Sequence, residues 1–190
     1  MRHQQTFGIN ADWPGEDVCR QLAQRASGLF AWASTAAKFI NGHAPTRCLE
    51  IILKGDVAPS AEVALDALYT AALETVGRWD DEDFVADFRN IMGVILVARQ
   101  PLSSASIDML LNKHKLCMHT LSHLSCLLQR NPSVCVLHPS FADFLMTVRR
   151  CRLDVWFFDR STHHRILALR CLDRMQFFFE TEHVQLDPYC

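Results

Sequence analysis

The chain has 190 residues, 49% hydrophobic and 21% charged, an ordinary globular balance with length for one domain or two small ones. Its 19 Lys/Arg and 21 Asp/Glu leave a formal charge of -2. The first hundred positions hold 9 basic residues against 13 acidic and the rest 10 against 8, so neither half has the electropositive surplus of a nucleic-acid surface. The longest apolar run, residues 91–98, falls far short of the roughly 20 residues of a membrane-spanning helix. Residues 1–16 lack the apolar centre of a signal peptide and read as a loose arm. The eight cysteines show no short paired spacing, and most sit among apolar residues at helical period. That pattern predicts reduced thiols in an intracellular, cytoplasmic protein.

From Asp17 the spacing predicts one long helix, with Val18, Leu22, Ala26, Leu29, Ala33, Ala37 and Ile40 on one face and Asn41-Gly42 as its left-handed end. "PTRCLEIILKG" predicts a short helix closed by Gly55. A third helix starts near Pro59-Ser60 and carries Val63, Leu65, Leu68, Tyr69, Ala72 and Leu73 as far as Gly77. The acids of "WDDED" complement the start of a fourth, which buries Phe84, Phe88, Ile91 and Ile95. Pro101 breaks the chain, Ser103 or Ser104 caps a short helix with Ile107, Leu110 and Leu111, and residues 113–129 predict another helix with Cys117, Leu121, Leu124 and Leu128 in one stripe.

Val134 to Leu137 then reads as a strand that stops at His138. An amphipathic helix follows, with Phe141, Phe144, Leu145 and Val148 on one face, Ser140 as N-cap and Asp143 as a capping-box acid. "LDVWFF" reads as extended, and a last helix carries Leu167, Cys171, Met175 and Phe178. The fold class is mostly α, with a two-strand β-wing at most. The middle order of helix, short helix, helix and strand is that of a winged-helix module.

Catalytic signatures are absent: there is no G-x-x-x-x-G-K-[ST], G-x-S-x-G, H-E-x-x-H or C-x-x-C. No residue is assigned as catalytic or as a metal ligand, and the chain is read as no enzyme. His119, His123 and Cys126 share a helical face, which suits a polar flank better than a zinc site lacking a fourth ligand. His163-His164 predicts packing or capping near the last helix. A DNA-reading helix at 113–129 would offer Lys113, Lys115 and histidines but none of the Arg or Asn that read base edges. His138 is the distinctive residue, because a helix N-terminus attracts anions. It is either a phosphate reader or a packed connector.

Several segments in order, "LAQRASGLFAWASTAAKFI", "ALDALYTAAL", "FRNIMGVILVARQPLSSASIDMLL", "LHPSFADFL" and "HHRILALRCLDRM", resemble the C-terminal part of fungal NACHT-type signalling ATPases. These belong to the STAND class, relatives of NLR receptors. The resemblance implies a helical lid bundle at 17–78, a winged-helix domain at 79–153, and the start of a second helical, connector region at 154–190. In that family a winged-helix histidine faces the β-phosphate of ADP, and the role falls on His138. Gly28, Leu29 and Phe30 stand where many relatives carry a Gly-x-Pro turn against adenine; the proline is missing here. The resemblance implies ADP or ATP-Mg for a full-length relative and no cofactor for the chain alone. It implies a NACHT-type ATPase core as partner, in cis or in trans. The alternative is a stand-alone interaction module that docks on an intact relative. Lid helices without their core would present uncovered apolar faces and favour self-association.

Overall fold

The computed structural model describes residues 12–42, 44–55, 58–112 and 116–183, without the side chains of 116–118 and 181–183. Most of the expected arm at 1–16 lies outside the described residues, as do Lys113, His114 and Lys115. The described chain is mostly helical, with one two-stranded antiparallel sheet. It divides into two compact units, 1–68 and 69–190.

The first unit contains α1 (Glu16–Ala26), α2 (Phe30–Ile40), α3 (Pro45–Lys54) and the beginning of α4 (Ala61–Val76). The single helix expected from Asp17 to Ile40 is therefore two. Ser27 and Gly28 take left-handed conformations, φ 45° and 78°, and Leu29 N–H donates to Ala26 O at 2.7 Å. Such a left-handed pair ends a helix, and glycine adopts it without penalty. The break also changes the register: α2 buries Trp32, Thr35, Ala36, Phe39 and Ile40, whereas Ala33 and Ala37 are exposed. Asn41 closes α2 at φ -76°, not left-handed as expected. Arg25 donates to the carbonyls of Leu53 and Gly55 at 2.7 and 2.6 Å, satisfying the open C-terminal end of α3. α2 packs on both α1 and α3.

The second unit contains the rest of α4, then α5 (Glu82–Val97), α6 (Ser104–Leu111), α7 (Leu116–His123), β1 (Leu128–Gln129), β2 (Cys135–Val136), α8 (Pro139–Leu145) and α9 (Arg160–His183). α5 is capped by Asp81, whose carboxylate accepts Phe84 N–H at 3.1 Å. It buries Phe84, Phe88, Ile91, Met92 and Val94, so the expected apolar face holds except at half-buried Ile95. Trp79, Phe84, Phe88, Trp156 and Phe158 form the aromatic core, with neighbouring ring centroids 5.0 to 5.8 Å apart. Ser103, not Ser104, caps α6.

Two local expectations fail here. α7 ends at His123, and the chain turns through 124–127 into a strand, so no helix runs through 113–129. Leu121, Leu124, Leu127 and Leu128 are all buried, and the neighbours Leu127 and Leu128 cannot share one face of a helix. The expected extended 154–158 segment contains a 3-10 turn, Asp154–Trp156. Arg89 explains it: its guanidinium donates to the carbonyls of Val155 and Phe157 at 2.9 and 3.0 Å and lies over the Phe158 ring. Curling the backbone round one cation turns Trp156 and Phe158 inward.

Candidate functional site

β1 and β2 pair in the register Leu128↔Val136 and Gln129↔Cys135, and Val134 bridges to Leu102. The hairpin hands the chain directly to α8. His138, at φ -142° and ψ 139°, is the N-cap of α8, not Ser140 as the sequence suggested. The reason is Pro139. A proline has no N–H to satisfy and fits the first helical position, which moves the cap to the residue before it. Ser140 thus stands inside the helix, and Asp143 is exposed with no capping-box role.

The imidazole does the capping. His138 Nδ1 accepts Ser140 N–H at 3.2 Å and lies 2.7 Å from Ser140 Oγ, which is itself 2.7 Å from Tyr69 Oη. Because Nδ1 accepts a backbone N–H, the ring proton resides on Nε2. The hydroxyls complete a directed chain, with Tyr69 O–H donating to Ser140 and Ser140 O–H donating to Nδ1. Tyr69 is anchored by Phe141 and Phe144, with centroids at 5.0 and 5.6 Å, and all three are buried. Nε2–H is left as a donor without a partner among the described residues. Chemically the joint offers one fixed hydrogen bond to an acceptor such as a phosphate oxygen.

The other three candidate residues lie in the other unit. Gly28 is in the left-handed turn that ends α1, Leu29 is the N-cap of α2, and Phe30 begins α2 with 84% of its surface exposed. A turn therefore forms there without a proline.

A second cluster, at the seam of α5 and α9, was only partly visible in the sequence. His163 is buried, packs tilted on Phe158 with ring centroids 4.9 Å apart, and sits in a notch left by Gly93. A Cβ on Gly93 would lie 2.4 Å from His163 Nδ1. Burial pushes the His163 pKa down, helped by the Arg89 and Arg170 charges and opposed by Asp159. Asp159 accepts Thr162 N–H at 2.8 Å, and its bonds to Thr162 hold its carboxyl below the usual range. His164 is exposed, so of the adjacent pair one packs and one faces solvent.

A cavity of about 470 Å³ opens between α5, α6 and α9. Its arginines are engaged by the protein. Arg170 donates to Asn90 Oδ1 at 2.7 Å, and Arg174 donates to Met109 O at 2.6 Å and Asn112 Oδ1 at 3.3 Å, closing the C-terminal end of α6. His119 and His123 have ring centroids 5.0 Å apart, while Cys126 is buried and His119 exposed. Among the described residues no group of three or more His, Cys, Asp or Glu is arranged to hold a metal ion. No described helix is long and apolar enough to cross a membrane.

No known family model matches the chain, and neither a curated protein nor a solved structure matches it.

Proposed function

We infer that the chain is a regulatory switch module of a cytoplasmic NACHT-type signalling ATPase, acting through protein contacts and catalysing no reaction itself. The observation that carries the reading is the His138 joint: a histidine held by its own helix through Nδ1, with Nε2–H left to donate. The order of α5, α6, α7 and a short hairpin supports a winged helix over 79–153, with a helical lid before it and α9 as the connector. In this reading Nε2–H bonds a β-phosphate oxygen of ADP held by an ATPase core in cis or in trans. Gly28, Leu29 and Phe30 supply a weaker lid-side contact to the adenine. The core, not this chain, supplies the phosphate cradle and Mg²⁺. A hydrogen bond to a charged group contributes about 1.5–3 kcal/mol, or roughly a ten- to hundred-fold bias toward the closed, ADP-bound state.

The test separates cap from sensor. Asparagine is a good N-cap, so His138→Asn keeps α8 closed while withdrawing the long-reaching Nε2–H. With a fungal NACHT ATPase core, the parent chain should slow ADP release roughly ten- to a hundred-fold. His138→Asn should lose that effect while keeping most of the parent's thermal stability. An ADP off-rate indifferent to the chain or to the substitution refutes the reading. So does micromolar ATP or ADP binding by the chain alone, because one donor without a phosphate cradle should bind no tighter than millimolar. The exposed side chains of α9 favour a second reading, an interaction module that docks on an intact relative.

A further inference from the structure

α9 is packed on one side and carries large exposed apolar residues on the other. One side carries His163, Leu167, Arg170 and Arg174 toward α5 and α6. The other carries Leu169, Leu172, Met175 and Phe179, which are 51%, 60%, 54% and 57% exposed. At about 100° per residue these four fall within an arc of about 120° that faces away from the packed side. Leu172, Met175 and Phe179 line one shallow concavity together with Gln176 and Glu180. Four large apolar side chains exposed along one side of a helix mark an interface rather than ordinary surface scatter. The exposed apolar residues expected on lid helices 17–41 and 60–76 are few, chiefly Phe30 and Val63, because α2 packs on α1 and α3; the exposed apolar surface is concentrated on α9 instead.

Charge along the stripe says what covers it. Arg165 is exposed at the N-terminal end and Glu180 is exposed at the C-terminal end, next to Phe179. Parallel pairing of two such helices would set arginine on arginine and glutamate on glutamate. Antiparallel pairing about Leu172 brings Arg165 of each copy to Phe179 and Glu180 of the other. Leu169 then meets Met175, and Leu172 meets itself. Flanking charges of this sort set the direction in which helices pair, and a two-fold interface must be self-complementary. We propose that α9 joins two copies of this chain as an antiparallel helix pair centred on Leu172. The proposal stands apart from the nucleotide reading of His138.

Sedimentation velocity of the full chain over a concentration series tests it. The parent should be a dimer in reversible exchange with monomer. Leu172→Glu, at an exposed position, should keep the helical circular dichroism and be monomeric throughout. Arg165→Glu or Glu180→Arg should each raise the dimer Kd by about five-fold, the loss of two surface ion pairs. The double charge exchange should restore the parent value. A parent chain that stays monomeric assigns the stripe to another protein or to this chain's own remaining residues, and overturns the proposal. Open-ended aggregation, a dimeric Leu172→Glu, or a double exchange that rescues nothing also overturns it.

Discussion

His138 and His163 stand at the starts of two helices in the same unit, and their surroundings are opposite. His138 is half-buried, engaged at Nδ1 by Ser140, with Nε2 open. His163 is buried against Phe158 and Gly93 with its charged form disfavoured. The strand–helix joint uses an imidazole as a hydrogen-bonding part; the α5–α9 seam uses one as a flat, neutral packing unit. Burial and the neighbouring backbone decide which property matters, and each region can be disturbed separately.

The largest expected effect is in the aromatic support under the joint. Phe141→Ala removes a buried ring packed on Tyr69 and Phe144, and should cost about 3–5 kcal/mol in denaturant unfolding. At the seam, Gly93→Ala drives a methyl into a buried ring that Phe158 prevents from moving aside. Overpacking of that kind costs about 1–3 kcal/mol, of which better helix propensity returns at most about 1 kcal/mol. A variant as stable as the parent would show that the seam is looser than its geometry implies. Smaller still is His138→Ala, which removes an N-cap and should cost about 0.5–2 kcal/mol. His138→Asn should recover most of that loss; if it does not, the bond to Ser140 is not what closes the helix.

The mildest perturbation is a proton. His163 has a folded pKa below its ordinary 6.5, so below about that pH the unfolded chain takes up a proton that the folded chain refuses. Stability should therefore be full above pH 6.5 and should fall as the pH drops, until folded His163 itself titrates. Asp159, also held low, acts in the same direction at more acidic pH. His163→Leu should abolish the histidine step in a urea-unfolding series across pH and leave the acidic one. A stability profile flat from neutral pH to pH 5 would mean that the ring charges in place.

Local periodicity made most of the helices legible, because an apolar face at i, i+3 and i+4 reports burial directly; Phe84, Phe88 and Ile91 are examples. Pro139 next to His138 likewise marked the joint. Three features were not legible. The division of 17–40 into α1 and α2 depends on two left-handed residues, Ser27 and Gly28, inside a pattern that continues through them. The turn after His123 depends on Leu127 and Leu128 both finding burial, one in a loop and one in a strand. The curl at 154–156 depends on Arg89, sixty-six residues before Val155.

The sequence alone determined a mostly helical chain, because that follows from contacts within a few residues. It also placed a histidine at the end of a strand and the start of a helix. Only the tertiary structure decided what that histidine does, since Tyr69 reaches Ser140 across 71 positions and completes the bond chain that leaves Nε2 open. It also decided which side of α9 is packed and which is left exposed. A helix with apolar residues on more than one side has no single preferred face until its neighbours choose one.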